Sequence, residues 1–283
     1  VSGPERVGER VGERVGSEEA TEKMTDTTTR RGYEGNGGGS LHGKVVAVAG
    51  AAGPAGQATL LRLAEEGATV VACDADAGRL AQAVDAARFA HGGATVTGDT
   101  VDLLDLEETR AWAAKTEKEY GRVDGLVHLV GGWRGSASFA ETDLADWDTL
   151  HNLLIRTLQH TSLAFEGPLK RAGDGRFLLV SAVGASKPTA GNAAYSASKA
   201  AAEAWTLALA DAFRKAGGEG PPPAAAVILV VKALVHDQMR ADRPNAKFAG
   251  FTDVADLAKD IAGTWNKPAD ELNGTRLWLT PDH

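Results

Sequence analysis

The chain has 283 residues, 43% of them hydrophobic, with a formal charge of −8 and a pI near 5.4. That length buries one substantial core, and the acidic balance excludes a protein that neutralises nucleic-acid phosphates over a clustered basic face. The single cysteine, Cys73, excludes an internal disulfide, and no apolar run approaches the roughly eighteen residues of a membrane span.

Residues 1–42 read as a disordered arm. Glu5-Arg6-Val7-Gly8 recurs from Glu9 and Glu13, and the polar stretch that follows ends in Gly35-Asn36-Gly37-Gly38-Gly39-Ser40. Such a segment carries too little apolar surface to offset chain entropy. Val1 to Gly16 is too charged for a secretory signal, so the expected compartment is the cytoplasm. Met24 is a candidate translation start within the arm.

A single folded domain is expected over residues 43–283. Lys44 to Ala49 is a short β-branched run suited to a buried parallel strand. Gly50-Ala51-Ala52-Gly53-Pro54-Ala55-Gly56 follows, and then a helical pattern from Gln57 to Glu66. Glycines between strand and helix let a backbone approach a pyrophosphate, and the helix N-terminus offers unpaired amides and partial positive charge. Ala68 to Cys73 reads as a second strand ending at Asp74, 18 residues beyond Gly56. A carboxylate there can accept from adenosine ribose hydroxyls and repels a 2′-phosphate, which favours NAD over NADP; it can also cap the helix expected over Ala77–Ala90. Arg79 lies too far along that helix to count as a phosphate ligand. Further strands are expected over Ala94–Thr97 and Val123–Val130, with a helix over Leu106–Tyr120 between them. His128, alone in an apolar strand, reads as a core residue, and none of the seven histidines falls in a metal-binding spacing. No metal is expected.

Asp143 to Arg171 shows helical periodicity interrupted at Gly167-Pro168, with Thr142-Asp143 as its start signal. A strand over Gly175–Ser181 leads to Tyr195-Ser196-Ala197-Ser198-Lys199, the start of a helix reaching about Lys215. A tyrosine and a lysine four residues apart on a helix share a face. An ammonium there favours the phenolate and lowers a phenol pKa of about 10, which fits the pair for acid–base work. Ala224–Val231 reads as a sixth strand, Leu234 to Gly250 as a lid, Thr252 as the cap of a last helix, and Thr275–Leu279 as a seventh strand. The lid's His236, Gln238, Arg240, Arg243 and Lys247 point to a polar or anionic substrate. Seven strand-like and six helix-like segments in alternation define a doubly wound α/β domain, the Rossmann architecture.

With Tyr195, Lys199, the glycine turn and Asp74 in this order, the chain resembles the short-chain dehydrogenase/reductase family from about Gly43 onward. The resemblance implies hydride transfer between a nicotinamide cofactor, NAD before NADP, and a small-molecule carbonyl or alcohol. Tyr195 would exchange the proton, and Lys199 would assist it and bind ribose. The cofactor would lie along Gly50, Gly53, Gly56 and Gly131, with Asp102 and Leu103 meeting the adenine. A homodimer or homotetramer is implied as well. The sequence departs from the family pattern in several places. Pro54 sits where a glycine is usual, His128-Leu129-Val130-Gly131 replaces Asn-Asn-Ala-Gly, Lys232-Ala233 replaces proline-glycine, and Leu154 falls where an asparagine belongs. The family serine that polarises the carbonyl stands thirteen residues before the tyrosine, which is Ala182 here. Either Ser181 serves after a one-residue loop adjustment, or Ser186 or nothing does. These departures keep a second class open, a nucleotide-binding sensor or scaffold that retains the fold without catalysis, as well as a lyase or isomerase on the same scaffold.

Overall fold

The computed structural model describes residues 41–280. Nearly all of the expected disordered arm lies outside the described residues. Leu41 is buried in the core and its N–H donates to the Glu66 carbonyl at 2.8 Å.

Seven strands form one parallel sheet in the order β3-β2-β1-β4-β5-β6-β9. They are β1 (Val45–Ala49), β2 (Thr69–Asp74), β3 (Val96–Thr100), β4 (Gly125–His128), β5 (Gly175–Ala182), β6 (Ala224–Val231) and β9 (Arg276–Trp278). Because side chains alternate along a strand, each strand feeds two cores, and burial on both faces explains the continuous apolar runs. Val46, Val48, Val70, Leu178 and Val227 pack with α1 (Pro54–Glu65), α2 (Ala77–Ala90) and α8 (Val254–Gly263). Val45, Ala47, Val71, Phe177 and Leu179 pack with α3 (Leu106–Tyr120), α5 (Thr157–Ala172) and α6 (Ala193–Gly217) on the other face. Trp205 of α6 belongs to this second core and donates its indole N–H to Ser162 at 2.8 Å.

The long helix after β4 is not interrupted where expected. Pro168 sits inside α5, which runs on to Ala172, while the break lies between α4 (Leu144–His151) and α5, where Asn152–Arg156 widens into a π-helical turn. The lid is partly ordered: β7 (Leu234–Val235) pairs with β8 (Thr252–Asp253), and α7 (Asp237–Asp242) lies between them. A last short helix, α9 (Ala269–Leu272), precedes β9. Among the described residues no helix is long and apolar enough to cross a membrane, and no cluster of three or more His, Cys, Asp or Glu side chains could hold a metal ion.

Candidate active site

β1 and β4 are neighbours whose onward connections run to opposite sides of the sheet, and a crevice opens at such a switch point beyond the strands' C-terminal ends. It holds a cavity of about 760 Å³. The glycine turn forms one wall. Gly50 has φ +81°, and a Cβ on it would lie 2.7 Å from the Val130 backbone nitrogen. A Cβ on Gly56 would lie 2.4 Å from the Gly50 carbonyl oxygen. These two glycines are therefore fixed by backbone contact, whereas Gly53, whose added Cβ would meet only the Gly50 oxygen at 3.6 Å, is not. Pro54 occupies the first helical position of α1, where its missing N–H costs no hydrogen bond. The amides of Ala55 and Gly56 remain at the mouth of the helix, a cradle shaped for a diphosphate.

Asp74, at the end of β2, accepts from the Ala52 N–H at 3.0 Å and the Asp76 N–H at 3.1 Å. It does not cap α2; Asp76 does, accepting from Arg79 N–H. Arg79 reaches farther than its place on the helix suggests, donating to the Ala52 carbonyl at 3.0 Å. Asp102 accepts from Leu104 N–H, and the Leu103 carbonyl is 2.9 Å from His160 Nδ1. Asp74, Asp102 and Leu103 lie outside the cavity lining, whereas Gly50, Gly53, Gly56, Gly131, Ser181, Tyr195 and Lys199 line it.

Tyr195 and Lys199 face the cavity from the first turns of α6. Lys199 is buried, donates to the Val180 carbonyl at 2.8 Å and has its Nζ 5.9 Å from the Tyr195 ring centroid. The expected lowering of the phenol pKa is not what this geometry gives. Burial dominates and pushes Tyr195 up to about 12, while burial, opposed by Glu203, brings Lys199 down to about 8.

Ser181 does not present its hydroxyl to a substrate carbonyl. It follows Phe177 and Leu179 to the α5–α6 face of the sheet, is fully buried, and donates to Glu203 Oε1 at 2.6 Å. Ser181 and Ala182 both border the cavity at the end of β5, and Ala182 carries no hydroxyl to offer it. Ser186 bonds to the Val183 carbonyl outside the lining. Leu154 is buried in the π-helical turn, 3.6 Å from where a Gly131 Cβ would stand, and Asn152 is exposed on another face. His128 is a satisfied core residue: its ring nitrogens lie 3.4 Å and 3.1 Å from the hydroxyls of Thr157 and Thr161, and burial lowers its pKa to about 3.

Sequence reasoning missed several contributors. Glu203 gave no signal beyond its spacing from Lys199, and Trp133 and Met239 line the cavity without any motif to mark them, whereas Lys232, marked by its departure from the family's proline-glycine, does line it. Lys232 donates to the Ala249 carbonyl at 3.0 Å. The cavity lining contains no aspartate or glutamate.

A doubly wound parallel sheet with a glycine cradle at the switch point and a Tyr–Lys pair across from it defines a dinucleotide-type site. The family model described as short chain dehydrogenase matches residues 44–239, and the chain belongs to that family. It is 29% identical over 242 residues, 86% of this chain and 91% of the other, to the (2S)-[(R)-hydroxy(phenyl)methyl]succinyl-CoA dehydrogenase subunit BbsD of Thauera aromatica. An acetoacetyl-CoA reductase of Allochromatium vinosum is 30% identical over 169 residues, covering 59% of this chain and 68% of that protein. A short-chain type dehydrogenase/reductase from Mycobacterium ulcerans superposes with a TM-score of 0.76 at 19% identity, over 85% of this chain and 89% of that one, a likeness of fold.

Proposed function

We propose that the chain is a nicotinamide-dependent oxidoreductase that interconverts a small-molecule carbonyl and its alcohol. The observation that carries this reading is the placement of Tyr195 and Lys199 in one cavity with the Gly50–Gly56 cradle. The cradle fits a dinucleotide because its two indispensable glycines leave backbone and helix amides open to a diphosphate. When bound, the nicotinamide supplies or accepts the hydride. The chain's own residues do the rest. Tyr195, held protonated by burial, gives its proton to the substrate oxygen in the reduction direction and recovers it from solvent. Lys199 places a positive charge beside that phenol and offers its remaining N–H groups to ribose hydroxyls. With Ala182 thirteen residues before Tyr195 and the Ser181 hydroxyl committed to Glu203, the substrate oxygen relies on Tyr195 for its hydrogen bond. One missing oxyanion donor slows such chemistry by roughly 10²–10³-fold without removing it.

NAD is the favoured cofactor because Asp74 repels a 2′-phosphate, although Arg79 stands at the same turn and opposes that preference. The reading carries with it a cytoplasmic enzyme acting as a homodimer or homotetramer. Fluorescence titrations with NADH and with NADPH test the cofactor, and NADH oxidation with acetoacetyl-CoA, the named substrate of one relative, is the first turnover assay. Tyr195→Phe is expected to leave NADH affinity within about twofold and to cut turnover on the order of 10²–10⁴-fold. Absence of binding by either nucleotide removes the oxidoreductase reading and leaves a scaffold.

A further inference from the structure

Glu203 is a buried carboxylate, 6% exposed, one helical turn beyond Lys199 on the same face of α6. Two groups hold it. Ser181 donates to Oε1 at 2.6 Å, and Arg276 of the edge strand β9 donates from Nε to Oε2 at 2.7 Å. Consecutive residues of β5 therefore clamp consecutive turns of α6: the Val180 carbonyl takes Lys199, and the Ser181 hydroxyl takes Glu203. A buried ammonium whose recorded hydrogen bond goes to one neutral carbonyl loses most of its hydration, so a fixed negative charge close by decides whether it keeps its proton.

We propose that Glu203, anchored by Ser181 and Arg276, is the positioning residue for Lys199, pinning the end of β5 against α6 and supplying the buried countercharge of the Lys199 ammonium. The catalytic meaning of this rests on the oxidoreductase reading; the electrostatic coupling does not. Lys199 donates to the Val180 carbonyl of β5 and stands 5.9 Å from the Tyr195 ring centroid, with Glu203 one turn on along its own helix and His128 on β4 both close enough to act on its charge. Arg276 of β9 engages Glu203, and Lys232, after β6, lines the same cavity with its amine on the Ala249 carbonyl. His128 is neutral near pH 7 and Tyr195 is protonated there, and Glu203 is the one carboxylate among these groups. Arg276 in turn pairs with the second carboxylate oxygen of Glu203 and fixes its orientation beneath Lys199.

The test reads Lys199 directly. The full chain is labelled with [ε-13C]lysine, the Lys199 resonance is assigned by its loss in Lys199→Arg, and its titration is followed in wild type and in Glu203→Gln. The expected result is a downward shift of the Lys199 midpoint in Glu203→Gln, with the other lysines unmoved. An unchanged midpoint in a folded variant overturns the proposal and makes Glu203 a packing residue. Should Glu203→Gln fail to fold, the apolar replacement Ser181→Ala/Glu203→Leu/Arg276→Leu, of the kind that buried ion pairs often tolerate, is titrated against the same criterion. NADH titration of the same samples separates the two readings. A shifted midpoint in a protein that binds no NADH upholds the coupling and removes the oxidoreductase assignment.

Discussion

At the scale of single residues, the site is decided by contacts of a few tenths of an ångström. Gly56 and Gly53 look equivalent in a glycine motif, yet only Gly56 is closed in by backbone, the Gly50 oxygen and Ala51 atoms standing 2.4–2.6 Å from an added Cβ. Gly56→Ala is expected to cost about 1–3 kcal/mol of stability by overpacking and to weaken NADH binding. Gly53→Ala should stay within about 0.5 kcal/mol of wild type. Urea denaturation of the two variants checks this, and equal midpoints would remove the distinction. Sequence reading identified the motif but could not rank its glycines, since ranking needs the way the turn folds back so that Gly50 and Ala51 press on Gly56 and not on Gly53. The same holds for Ser181 and Ala182. Spacing from Tyr195 pointed to Ala182, and the alternative hung on one loop residue. Side-chain alternation along β5 carries Ser181 to the face of Phe177 and Leu179, where its hydroxyl meets Glu203.

Elements were largely legible because apolar runs and helical periodicity report burial directly. The ranges Ala77–Ala90 and Leu106–Tyr120 read from the sequence are the observed α2 and α3. Caps were harder. Asp74 and Thr252 were the candidates, yet Asp76 caps α2 and Asp253 starts α8 while Thr252 donates to the Leu279 carbonyl, and Asp105 caps α3. Several short polar residues crowd each of these helix starts, and only backbone geometry selects one. The π-helical turn at Asn152–Arg156 left no glycine or proline to announce it, whereas Gly167-Pro168 announced a break that burial of Pro168 within α5 overrides. Asp105 accepts from both Glu107 and Glu108 N–H groups, so Asp105→Ala should destabilise the protein by about 1 kcal/mol. A midpoint in urea indistinguishable from wild type would show that water replaces the cap without loss.

Across the whole molecule, the switch point between β1 and β4 gathers buried ionisable groups that a folding chain ordinarily keeps in water. His128 and Lys199 both line the cavity, and each is driven by burial toward its neutral form, His128 to about 3 and Lys199 to about 8. Unfolding returns each to its ordinary affinity for protons. Between about pH 6.5 and 3 the unfolded chain therefore binds the His128 proton more readily than the folded one, and stability falls as pH falls through that window. For Lys199 the corresponding window lies between about 8 and 10.5, where stability rises with pH. Replacing His128 by leucine removes the acid-side dependence without orphaning its neighbours, because the Leu153 and Thr157 carbonyls accept the hydroxyl protons of Thr157 and Thr161. The variant's loss of packing is the same at every pH, so the diagnostic quantity is the difference between the two stability curves. That difference should move in favour of His128→Leu as pH drops from 6.5 to 4, with a slope approaching about 1.4 kcal/mol per pH unit. Urea unfolding at half-unit intervals measures it, and parallel curves would mean that the histidine takes up its proton without opening the fold.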